Sequence, residues 1–96
     1  NMAKAKNDAE LAKQYLSDLS GAGLLVYEES REYPGLGLVM PMIVIVEEGK
    51  EYPKTEEELY GHVDHWQKQF NLNLTEAKVR KVVKEVFHYA DKKPDE

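Results

Sequence analysis

Apolar residues recur along this chain at helical spacing in three places, and a strand-like stretch lies between the first and second of them. Ala12, Tyr15, Leu16 and Leu19 stand at i, i+3, i+4 and i+7, one stripe of an amphipathic helix over residues 7–20. Asn7 or Asp8 can cap its start, and Gly21 and Gly23 can close its end. The last helix opens at Leu74-Thr75, where Leu74 can staple onto Val79 around the Thr75 cap. Its buried stripe is Val79, Val82, Val83, Val86, Phe87 and Ala90. Between them, Thr55 and Glu58 form a capping box after Pro53, and Leu59, Val63, Trp66 and Phe70 mark the face of a middle helix. The three glutamates of that first turn, Glu56, Glu57 and Glu58, face the positive end of the helix dipole.

The residues between the first two helices read as strands. Leu24-Leu25-Val26-Tyr27 is short, branched and aromatic. Tyr33-Pro34-Gly35 is a turn signal, and residues 36–46 follow as the longest apolar run. Pro41 within that run implies a bulge, a sheet edge or two strands end to end, because proline cannot donate to a ladder. Glu48-Gly49-Lys50 is a tight turn after which Glu51-Tyr52 can pair back as a strand stub.

The order is α-β-β-(short β)-α-α. It predicts a single α+β domain over residues 1–96, in which a short antiparallel sheet is packed by the N-terminal helix and a C-terminal αα-hairpin. The expected hairpin core is Trp66 and Phe70 against Val79, Val83, Val86 and Phe87. Residues 91–96 read as a frayed polar tail, and Asn1 before Met2 as a cloning remnant.

The long strand also bears on assembly. Leu38, Met40, Met42, Val44 and Val46 would face one side of the sheet, with Val39, Ile43 and Ile45 on the other. Both faces are apolar and each needs a cover. The first helix on one face and the hairpin on the other would make a self-sufficient monomer; if instead all three helices gather on one face, the favoured arrangement for so few strands, a second copy would bury the other, and Met40, Met42 and Val44 are the expected contact.

Charge adds an asymmetry. The net charge is −5, and residues 28–58 alone carry nine acids against three bases. Such a balance disfavours a dedicated nucleic-acid binder. Without cysteine the chain has no disulfide or thiolate chemistry, and a cytoplasmic setting is the easier reading. The apolar run of residues 36–46 is half the length of a membrane helix, so no membrane partner is expected.

Three groups of residues are candidates for chemistry. Glu58, His62 and His65 share a helical stripe with Gln69, and two imidazoles with a carboxylate are a weak candidate for a zinc or iron site. Arg80, Lys81, Lys84 and His88 lie within about 100° of arc on the last helix, a basic face that a helix-turn-helix would turn toward nucleic acid. Glu85 interrupts that face, and the plainer reading is a solvated surface. The clustered glutamates can steer a basic partner, although three of them already serve a helix start. Catalysis has the least support. Ser17, Ser20 and Ser30 sit in no nucleophile elbow, and Gly35-Leu36-Gly37 lacks the helix a phosphate loop requires. The expectation is therefore a non-enzymatic, cofactor-free interaction domain that forms a homodimer. A nucleic-acid-associated regulator is the alternative.

Overall fold

A computed structural model describes residues 6–94. The expected Asn1 remnant and the end of the expected tail, residues 95–96, lie outside them. The chain runs α1 (Asp8–Gly21), β1 (Leu25–Tyr33), a short 3-10 turn (Pro34–Leu36), β2 (Leu38–Glu47), β3 (Lys50–Lys54), α2 (Glu56–Gln69), α3 (Glu76–Tyr89) and β4 (Asp91–Lys92). The α+β class and the element order match the sequence pattern. Each helix start is capped as its residues dictate. The side chains of Asn7, Thr55 and Thr75 accept from the backbone N–H of Glu10, Glu58 and Lys78, and at Thr55 the Glu58 carboxylate completes the box.

The sheet has four strands in the order β3-β2-β1-β4. Neighbours β1 and β2 form an antiparallel hairpin that pairs Leu25 with Val46 at its base and Tyr33 with Leu38 near its tip. Gly37 closes that tip with φ +64°. β2 and β3 join through Glu48 and Gly49, both at positive φ, the two-residue turn that matches strand twist. β4 pairs in parallel with β1, Tyr27 to Asp91 and Glu28 to Lys92.

That last pairing corrects the expected frayed tail. Asp91 and Lys92 are strand residues, held by the Lys93 N–H donating to the Glu28 carbonyl at 2.9 Å and by ion pairs of Lys92 with Glu28 and Lys93 with Glu29. The same hydrogen bond sets the direction of every backbone group in the hairpin. In a strand, N–H and C=O of one residue point to the same side and alternate along the chain. Even-numbered β1 residues therefore face β4, and odd-numbered ones face β2. Carried through the register, odd-numbered β2 residues face β3, and odd-numbered β3 residues face outward. Pro41, opposite Ser30 and beyond the last β2–β3 pair, directs its missing N–H to an open edge. That is how a proline sits in a strand without costing the ladder a bond.

All three helices cover one face of the sheet. Ile43 and Ile45 join Leu11, Ala12 and Tyr15 of α1, Leu59, Val63 and Trp66 of α2, and Val79, Val82, Val83 and Val86 of α3 in one core. α3 is the central helix, packing on both α1 and α2. The other face of β2 is covered by the strands themselves. Tyr27 stands opposite Val44, and its hydroxyl donates to Glu51 Oε2 on β3 at 2.7 Å. Its ring therefore lies across β2, where Val44 is 0 % and Met42 5 % exposed.

Trp66 is buried between α1 and Phe70: its ring stands edge-on to Tyr15 at 5.5 Å and tilted to Phe70 at 5.9 Å, and its indole N–H donates to Asp18 at 2.8 Å. Phe70 corrects the expected core, since it caps the end of α2 and is 54 % exposed. Gln67 is a buried polar residue that no apolar pattern marks. Its amide oxygen accepts from the Leu74 N–H at 3.0 Å and ties the turn between α2 and α3 to the helix.

Trp66→Ala is expected to cost about 3–5 kcal/mol, the usual loss for a truncated buried aromatic. Phe70→Ala, which loses only the ring contact to Trp66 from a half-exposed position, is expected to cost about 1 kcal/mol. Urea unfolding of both variants checks the contrast, and equal losses would contradict the placement of Phe70 at the surface.

Candidate interaction surface

The sequence-derived metal trio does not assemble. Glu58 turns to the Thr55 backbone at 3.0 Å, a bond that holds its carboxyl below the ordinary range. His62 turns to α1, where its Nδ1 and the Tyr15 hydroxyl share a hydrogen bond of 3.0 Å. His65 is exposed on the next turn. Among the described residues no three His, Asp or Glu side chains lie close enough to hold an ion. The stripe put them on one helix face, but each of the first two has a better partner than a cation.

The basic face is placed on α3 as expected, and α2 answers part of its charge. Arg80 is bound to Glu57 at 3.0 and 3.4 Å and to Glu76 at 3.1 Å, with its guanidinium over the Tyr60 ring at 4.2 Å. Lys84 pairs with Glu56 at 3.2 Å. Arg80 in turn lowers the Glu57 pKa, chiefly through those hydrogen bonds. A nucleic-acid phosphate would have to displace these carboxylates. Lys81 is exposed, and His88 stands edge-on to Tyr89 at 4.6 Å. The paired residues line a groove of about 320 Å³ between α2 and α3 with Val83 at its floor.

The expected dimer contact divides along β2. Met42 and Val44 are buried within the chain, and Met40 is half-buried. Apolar exposure lies instead beyond them, toward the hairpin tip. Leu36 is 73 %, Val39 62 % and Leu38 42 % exposed. From Glu29 and Met42 outward no other strand among the described residues pairs with the hairpin: β4 pairing ends at Glu28 and β3 pairing at Ile43. The molecule is elongated, with extents of 53 × 28 × 19 Å. The radius of gyration of 14.2 Å exceeds the about 12 Å of a compact domain this size.

No protein-family model, curated protein or solved structure matches the chain. No helix among the described residues is long and apolar enough to cross a membrane. The arm was missed in the sequence because residues 28–33, Glu-Glu-Ser-Arg-Glu-Tyr, carry the polarity of a loop. The available signal was the turn at Pro34 with an apolar run on one side, which requires a strand of similar length on the other.

A pH response follows from His62. Burial, then the charges of Lys54 and His65, lower its pKa below the ordinary imidazole value, so the neutral ring is the form the fold holds. The unfolded chain then binds the proton more readily, and stability falls as pH drops through about 6.5. His62→Gln is expected to lose less melting temperature than the parent between about pH 7.5 and 5.5. Equal losses in a thermal melt series would show that the ring does not contribute.

Proposed function

We propose that this chain is a non-enzymatic protein-interaction domain that works as a homodimer, with the β1–β2 arm as its contact element. The observation that carries this reading is the exposure of Leu36, Leu38 and Val39 at the tip of a two-stranded ribbon, Leu38 on the face away from the helices and Val39 on the other. An isolated two-stranded ribbon is marginal in water, and apolar exposure of this kind marks contact sites. The groups that could serve other chemistry are largely engaged elsewhere. Glu58 caps a helix, and Arg80 and Lys84 are paired with glutamates.

Sedimentation velocity or light scattering over micromolar to millimolar concentration tests the reading. The expected mass rises from the 11.0 kDa chain toward twice that value. The rise should be suppressed by Leu36→Ser combined with Leu38→Ser, while the melting temperature stays close to that of the parent. A mass that stays at 11.0 kDa throughout overturns the homodimer.

A further inference from the structure

The sheet has two open edges, and they are not equivalent. On the β3 side, the outward-facing backbone belongs to odd-numbered residues, and two of these are prolines: Pro53 on β3 and Pro41 on the uncovered part of β2. Neither has an N–H to give a neighbouring strand, which is how edges are blunted against addition. On the other side, the last backbone bond to β1 among the described residues is the one from the Lys93 N–H to the Glu28 carbonyl. Ser30 and Glu32, the next two outward-facing residues of β1, are exposed, and among the described residues no backbone group bonds their N–H or C=O on that side.

We propose that this segment, residues 29–33 of β1, pairs antiparallel with the same segment of a second copy, making one continuous sheet through the dimer. The inference rests on the homodimer reading and assigns its contact. Using both residues fixes the register: Ser30 meets the partner's Glu32, and the two-fold axis passes at Arg31. About four backbone hydrogen bonds form.

Side chains on the face away from the helices then complement one another. Glu29 falls opposite the partner's Tyr33. Among the described residues Glu29 Oε2 is buried without a hydrogen-bond partner, and Tyr33 carries a phenol able to supply one. Arg31 lies diagonal to the partner's Glu29, within reach of a long side chain. The repulsive contact, Arg31 against its own copy, is flanked by both Glu29 carboxylates. Because the strands run in opposite directions and overlap only along the arms, the two helical layers sit at opposite ends and do not collide. An overlap of five residues a side buries little beside a standard interface of about 1,600 Å². The dimer is accordingly an exchanging one, with Leu36 and Leu38 of each tip adding apolar contact.

Two variants test it. Ser30→Pro with Glu32→Pro removes only outward N–H groups, so the β1–β2 ladder stays intact while dimer affinity should fall at least about tenfold. Circular dichroism and the melting curve confirm the fold. Arg31→Cys needs no such control, since the chain has no other cysteine. Across the proposed axis the two sulfurs face each other at a non-hydrogen-bonded pair, with Cα atoms about 4.5 Å apart, within disulfide range. With oxidised glutathione it should cross-link at least about tenfold faster than Lys81→Cys on α3. If the parent dimerises but the proline variant does too, and the two cysteine variants cross-link equally, the contact lies elsewhere: this inference falls and the homodimer stands. A parent that remains monomeric overturns both.

Discussion

Three helices on one face of a sheet leave its other face to cover itself, and most of this structure follows from that constraint. β2 is apolar on both sides. Ile43 and Ile45 meet the helices, while Met42 and Val44 have none above them. The cover is Tyr27, laid across Val44 and fixed by Glu51. Donation to that carboxylate, then burial, pushes the phenol pKa up to about 12, so the bond persists at any physiological pH. It also limits how far the cover extends. Past Glu29 the β1 residues on this face are Arg31 and Tyr33, both half-buried, and Met40 and Leu38 opposite them are more exposed than Met42 and Val44. The arm is the part of β2 that outruns its cover.

Charge is organised locally in the same way. The glutamate-rich stretch looks like one acidic surface, but six of its nine glutamates have separate partners. Glu28 and Glu29 hold the end of the chain through Lys92 and Lys93, Glu51 holds Tyr27, Glu56 and Glu57 meet Lys84 and Arg80, and Glu58 caps α2. Exposed pairs of this type each contribute little to stability. Their consequence is that the α3 basic face and the acidic stretch largely cancel where α2 meets α3.

Local signals were legible in the sequence, and distant partnerships were not. Caps at Asn7, Thr55 and Thr75 act over three residues, so reading them needs no tertiary knowledge. The valine stripe of α3 was equally clear. Phe70 misled because periodicity cannot show that α2 ends at Gln69 and that Trp66 turns to α1. The trio Glu58, His62 and His65 misled for the same reason: a helical wheel places residues on a face but does not show that Tyr15 reaches His62 first. β1 beyond Tyr27 read as a loop because an arm with neither face packed has no alternation to display. Pro41 was the informative residue there, since one of the meanings its presence allowed was a sheet edge, which is what it marks.

The central claim, an arm with one blunted and one open edge, is tested most directly by amide hydrogen exchange followed as a function of concentration. Glu29 and Arg31 donate inward to β2 and should be protected at every concentration. Ser30 and Glu32 face outward and should exchange freely when dilute, then gain protection together as the concentration rises into the dimer range. Protection of Ser30 and Glu32 that is unchanged by concentration, or equal to that of Arg31 from the outset, would contradict the account.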